Sequence, residues 1–257
     1  MPFRESAVRI VVLAHDLLGT YGDLGNGIVL AARLRWRGQA AELIVHEGGT
    51  PPPASADIYL LGGGEDAPQS LAYTELAATD ALPRAVAGGA VLLGVCAGYQ
   101  LLGHRFRTTD GRDLPGFGLL DVETVSGDGV PRAVGEIVVH PDVALGISDL
   151  TGFENHGGRT HLGGDARPLG RVIAGIGNTG DDGTEGAYTG TVVGTYLHGP
   201  VLVRNPALAD RLLSWVVGPL ESLIEPEVET LRAERLAAAG TGRRRAGPRL
   251  RSSGWLR

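Results

Sequence analysis

Apolar residues are spaced in two rhythms along this chain. Short runs rich in branched side chains recur at Val8–Ala14, Ala41–His46, Asp57–Leu61, Ala90–Val95 and Thr191–Tyr196. Such runs are apolar at nearly every position rather than at alternate ones, which predicts strands buried on both faces. Between them, apolar positions fall three and four apart. That spacing predicts helices over Gly27–Trp36, Leu71–Ala87 with a break near Pro83, Gly98–Gly103 and Pro206–Val217. Tyr21–Asn26 reads as a Gly/Asp turn and Thr50–Pro53 as a proline-rich loop. Alternation of buried strands with helices predicts parallel βαβ units in an α/β, open, doubly wound, mostly parallel sheet. The middle of the chain differs. Gly116–Thr124, Ala133–His140 and Gly170–Gly177 read as strands between glycine turns and predict an antiparallel extension. Leu220–Ala239, rich in Glu, Leu, Arg and Ala, predicts a last helix. The expected organisation is one domain over residues 1–218, a helix over 219–239 and a tail over 240–257.

Composition narrows the chemistry. One cysteine excludes an intrachain disulfide. All 23 basic residues are arginine. Mechanisms that need a lysine, such as a Schiff base or a phosphate-cradling P-loop, are therefore excluded. The net charge of −6 is uneven: six arginines and no acid lie between Gly240 and Arg257. This Gly-, Ser- and Arg-rich tail reads as disordered and solvated. The acidic remainder argues against nucleic acid as the main partner. Met1–Ser6 has no apolar signal core and no apolar run reaches 18 residues. The expected location is cytoplasmic, at most peripheral to the inner face of the membrane. The histidines show no metal-ligand spacing, and Asn178 with Asp181-Asp182 lacks the spacing of a calcium loop, so no metal is expected.

The sharpest feature is Gly94-Val95-Cys96-Ala97-Gly98 between a buried strand and a helix. This is a G-x-C-x-G form of the nucleophile elbow. Small flanking residues let the chain turn tightly and present Cys96 at the carboxyl edge of the sheet. There the Ala97 N–H, at a helix start, is placed to stabilise an oxyanion. The same helix start is expected to favour the thiolate. His198 directly follows the strand Thr191–Tyr196, so it is expected at the same edge, as the base paired with Cys96. Gly62-Gly63-Gly64 ends another strand, and its N–H groups are expected to complete the oxyanion hole. Glu154, Asn155, His156 and Arg159 lie in Gly152–Thr160, which reads as a glycine-flanked polar loop near a ligand or interface.

These segments resemble a known family. Leu92–Gly103 (LLGVCAGYQLLG) resembles the nucleophile segment of class I glutamine amidotransferases, and Tyr196–Pro200 (YLHGP) the histidine segment of their cobyric acid synthase-like branch. Tyr21–Asn26 (YGDLGN) and Gly152–Thr160 (GFENHGGRT) resemble the GatD family, the small subunits of lipid II isoglutaminyl synthases. The resemblance covers about Val8 to Val217. It implies a flavodoxin-like amidotransferase fold and hydrolysis of L-glutamine through a Cys96 thioester. His198 would carry the proton, Gly63, Gly64 and Ala97 would hold the oxyanion, and Arg132 would hold the glutamine carboxylate. It further implies no cofactor in this chain and a Mur-ligase-like partner, MurT, which uses ATP and magnesium to amidate the D-glutamate of lipid II. The usual orienting glutamate two residues after the histidine is Pro200 here, so a third group is expected from elsewhere, such as the partner. Two alternatives stay open: an amidase subunit of a corrinoid synthetase, and a non-catalytic binding protein on the same fold.

Overall fold

A computed structural model describes residues 6–127 and 129–242. Its strands are β1 (Val8–Leu13), β2 (Ala41–Val45), β3 (Ile58–Leu61), β4 (Val91–Val95), β5 (Arg105–Arg107), β6 (Asp113–Pro115) and β7 (Val122–Val125). They continue as β8 (Ala133–Pro141), β9 (Leu150–His156), β10 (Arg159–Leu162), β11 (Gly170–Ala174), β12 (Thr184–Glu185), β13 (Ala187–Thr189) and β14 (Val192–Thr195). Its helices are α1 (Leu24–Trp36), α2 (Asp66–Leu76), α3 (Ala81–Ala87), α4 (Ala97–Leu102), α5 (Val201–Arg204), α6 (Pro206–Val217) and α7 (Pro226–Gly242).

The central sheet runs β13-β14-β4-β3-β1-β2. All its pairings are parallel except that of β13 with β14. This is the expected doubly wound sheet in flavodoxin-like order, whose carboxyl ends form a ligand crevice. Every residue of β3, β4 and β14 is buried, because helices cover both faces. Hence the unbroken apolar runs in the sequence. The antiparallel extension also forms, as two four-stranded sheets, β10-β7-β5-β6 and β12-β11-β8-β9. A buried ion cluster locks α1 to the later chain: Arg33, 2% exposed, forks onto Asp210 at 2.7 and 2.8 Å and also binds Glu225.

Several boundaries differ from expectation. The stretch Leu71–Ala87 is two helices that break at residues 77–80, while Pro83 sits in the first turn of α3, where its missing N–H costs nothing. Residues 116–120 are not a strand. Their N–H groups instead satisfy carbonyls at the end of α4, with Phe117 N to Leu101 O at 2.7 Å. Gly152–Thr160 is not a loop either. It holds the end of β9 and the start of β10, and the chain crosses between the two smaller sheets at Gly157-Gly158. The last helix begins at Pro226 rather than Leu220, because proline disfavours helix in the residue before it. It runs through residues 240–242, which the sequence assigns to a disordered tail; the rest of that tail, 243–257, lies outside the described residues. Among the described residues, no helix is long and apolar enough to cross a membrane.

Candidate active site

Cys96 ends β4 with φ 54° and ψ −105°. That is a backbone state L-residues rarely adopt, as the elbow requires. The two glycines are needed for approach. A Cβ on Gly94 would meet the Gly98 carbonyl at 2.7 Å, and one on Gly98 would meet the Leu61 carbonyl at 2.5 Å. The turn is tied on both sides, by Cys96 N to Thr195 O at 2.8 Å and Gly98 N to Gly62 O at 3.0 Å. Gln69 adds a bond to the Ala97 carbonyl at 3.3 Å and one to Gln100 at 2.9 Å.

The expected thiolate is not what this environment favours. Burial pushes the Cys96 thiol up to about 12, and the nearby Asp23 carboxylate adds to the rise. The Ala97 N–H faces the sulfur, and with Arg132 it works the other way, but the first turn of a six-residue helix does not offset full burial.

His198 lies beyond β14 at the same edge. Its backbone exchanges hydrogen bonds with Phe153 of β9 at 2.9 and 3.1 Å. The side chain is buried, and its ring sits 4.3 Å from that of Tyr21. Neither ring nitrogen has a hydrogen-bond partner among the described residues. Burial pulls its pKa down to about 4, helped by His156 and Arg132. The resting pair is therefore a neutral thiol and a neutral imidazole.

Arg132 precedes β8 and lines a cleft of about 540 Å³ together with Gly64, Glu65, Cys96, Gln100 and Gly157. Its Nε donates to Asn155 Oδ1 at 2.6 Å, and another guanidinium N–H reaches the Asn155 carbonyl at 3.1 Å. Asn155 in turn donates to the Tyr21 hydroxyl at 3.1 Å. Arg132, Asn155, Tyr21 and His198 thus form one continuous edge of the site.

The glycine turn after β3 departs from expectation. The Gly63 N–H is not free for an oxyanion: it donates to Asp23 Oδ2 at 2.7 Å. The glycines are required by packing against residues 18–23. A Cβ on Gly62 would fall 2.0 Å from the Leu18 carbonyl, and one on Gly63 would press on Tyr21 and His198.

Of the β9–β10 residues, only Asn155 and His156 belong to the site. His156 lines the cleft and stacks on Tyr196 at 3.7 Å. Glu154 accepts bonds from the Ile176 and Gly177 N–H groups. Arg159 holds the Pro131 carbonyl at 2.7 Å, just before Arg132. Asn178 is a buried structural residue bonded to Gly186, and Asp182 caps its own turn by accepting from Thr184 N. Among the described residues, no group of three or more His, Cys, Asp or Glu could hold a metal. Sequence reasoning missed Tyr21 and Asp23. Their signal was the polar Gly/Asp turn that leads from the β1 end of the chain into α1, on the side where open α/β sheets place ligands.

Comparison with known proteins agrees with this geometry. A family model described as the CobB/CobQ-like glutamine amidotransferase domain matches residues 9–206. The chain is similar to the lipid II isoglutaminyl synthase (glutamine-hydrolyzing) subunit GatD of Staphylococcus aureus, with 39% identity over 77% of this chain and 79% of that protein. The GatD subunit of Streptococcus pneumoniae is 35% identical over 80% of this chain and 79% of its own length. In fold, the chain is similar to a glutamine amidotransferase crystal structure with TM-score 0.57 and 19% identity, covering 81% of this chain and 98% of that one. An elbow cysteine and a histidine at one sheet edge, an arginine on the cleft wall and a family match over most of the length converge, and the chain belongs to the CobB/CobQ-like glutamine amidotransferase family.

Proposed function

We propose that this chain is the glutamine-hydrolysing subunit of a lipid II isoglutaminyl synthase, with Cys96 as nucleophile and His198 as proton carrier. The observation that carries the reading is the strained Cys96 elbow opening on the cleft that Arg132 lines. Arginine's planar fork suits the α-carboxylate of glutamine, and Arg132 is exposed on the cleft wall to receive it. The Cys96 sulfur attacks the side-chain amide carbon while His198 takes the thiol proton. The oxyanion is held by the N–H groups of Ala97 and Gly64; that of Gly63 joins them only if it leaves Asp23. Collapse breaks the C–N bond, His198 returns the proton to the departing ammonia, and a glutamyl thioester remains. Water then attacks the thioester with His198 as base, releasing glutamate and restoring the thiol.

The ammonia passes to a Mur-ligase-like partner, MurT, which supplies the site for ATP and magnesium and amidates the D-glutamate of the lipid II stem peptide. The complex works in the cytoplasm, where that precursor is built. The unpartnered nitrogens of His198 support the reading that the partner brings the third, imidazole-orienting group. Glutamate release should vanish in Cys96→Ala, and the full chain alone should be a much poorer glutaminase than the chain with its partner. Equal rates for the two would overturn the incomplete-triad reading. With partner, ATP, glutamine and lipid II, mass spectrometry should show conversion of D-glutamate to D-isoglutamine, and no conversion would refute the acceptor.

A further inference from the structure

Asp23 stands at the N-cap of α1 and does not cap it: its side chain accepts no bond from the helix backbone. An aspartate there ordinarily accepts from the second or third helical N–H. Its carboxylate instead points across the sheet edge and is 2% exposed. Oδ2 accepts from Gly63 N at 2.7 Å and Oδ1 from the Asn26 side chain at 3.3 Å. Asn26, also buried, uses its own oxygen to accept from Leu202 N at 2.9 Å, in α5 just past His198. The same junction is packed tightly, since a Cβ on Gly25 would meet Pro200 at 2.6 Å. A buried polar bracket therefore joins the glycine turn beside the nucleophile to the segment that carries the base.

We infer that Asp23 is a positioning residue of glutamine hydrolysis: through Gly63 and Asn26 it fixes the glycine turn relative to His198. The inference rests on the Cys96–His198 reading of the site. The groups that act on or respond to the thiol are the Asp23 and Glu65 carboxylates, the Arg132 guanidinium and the Tyr21 and Tyr196 hydroxyls. Of these, Asp23 contributes most after burial itself. Burying a carboxylate is costly, and burial pushes Asp23 up to about 6. Forgoing the cap in favour of this bracket is a cost that capping alone does not explain.

The test uses the full chain. Asp23→Asn keeps an oxygen for Gly63 but removes the charge and the acceptor for Asn26. Glutamate release should fall about 10- to 100-fold in kcat, up to the cost of a misplacement of about 1 Å in the site, with KM changed less than threefold. Alkylation of Cys96 by iodoacetamide needs no oxyanion hole. It should persist, with its pH midpoint lower than in the unaltered chain. Asn26→Ala cuts the bracket but keeps the charge, so it should lower kcat and leave that midpoint in place. A kcat within twofold of the unaltered chain in Asp23→Asn would overturn the inference. So would loss of alkylation together with activity, or an unmoved alkylation midpoint. If the unaltered chain released no glutamate above its Cys96→Ala control, the failure would belong to the glutaminase reading instead.

Discussion

The strain at Cys96 has a sign that can be measured. Replacing the residue with alanine or with glycine removes the sulfur equally, so the two variants differ only in a Cβ held at φ 54°, ψ −105°. This ψ lies outside even the left-handed island open to L-residues, so the Cβ costs about 1–3 kcal/mol there. Two effects favour alanine. Glycine gives the unfolded chain about 0.4–1 kcal/mol more entropy to lose, and a buried methyl-sized group contributes up to about 0.8 kcal/mol. With strain in the upper part of its range, glycine should win by about 1 kcal/mol, or roughly 2–4 °C in thermal midpoint for a chain of this size. The neighbouring residue supplies the control. Ala97 is the first residue of α4 and is also buried, so Ala97→Gly should destabilise by about 0.5–1 kcal/mol. Urea unfolding of the variants beside the unaltered chain decides the matter. A Cys96→Gly variant that falls below Cys96→Ala by as much as Ala97→Gly falls below the unaltered chain would refute the view that the elbow stores strain to present its nucleophile.

Arg132→Ala should raise KM for glutamine roughly 10- to 150-fold, the worth of about 1.5–3 kcal/mol for a charged hydrogen bond, while the thermal midpoint barely moves because the side chain is exposed; an unchanged KM would remove Arg132 from substrate binding. Arg33→Ala leaves the Glu225 carboxylate without its arginine and Asp210 with Arg37 alone, at 2.7 Å, and should cost about 3 kcal/mol in urea unfolding, the low end for a broken buried pair, so a loss under about 1 kcal/mol would show the cluster to be energetically idle. Burial pushes the Glu185 carboxyl up from 4.5 to about 7, against bonds from the Tyr196 N–H and the Thr195 hydroxyl. Folding therefore binds its proton more tightly, and stability present below pH 4.5 is lost as pH rises to 7, by on the order of 3 kcal/mol at most. Glu185→Gln cannot lose a proton, so its stability relative to the unaltered chain should grow between pH 5 and 7; a flat difference would refute the buried-charge account.

The parallel sheet was legible because β1, β3, β4 and β14 are buried on both faces, and burial writes itself into sequence as an unbroken apolar run. Cys96 and His198 were legible for the same reason, since each stands just past such a run. β5 and β6 were not. Each is three residues long and largely exposed, so neither has a period to read. β9 was misread because Glu154, Asn155 and His156 are polar, yet the strand buries Glu154 and His156 by giving each a partner that lies far away in sequence or folds back on it. The state of the thiol escaped for a related reason. A helix start is visible locally, whereas the burial that outweighs it is set by the folded sheet edge as a whole. The occupied Gly63 N–H is likewise a contact across forty residues, and nothing in Gly62-Gly63-Gly64 announces it.

The two shifted groups set a cost that catalysis at this site must offset. With burial pushing the thiol up to about 12 and pulling the imidazole down to about 4, moving the proton from Cys96 to His198 before attack is uphill. Two changes lower that cost without altering Cys96. Substrate filling the cleft brings the oxyanion donors into use as charge develops, and a carboxylate set against an imidazole raises its pKa by stabilising the charged form. A rise of two to three at His198 returns about 3–4 kcal/mol, or roughly 10²- to 10³-fold in rate. Under the proposed function a neutral resting pair would hold hydrolysis back until that cost falls. Among the described residues none is hydrogen-bonded to the His198 ring, so under the proposed function ammonia production would be coupled to the arrival of whatever supplies that group.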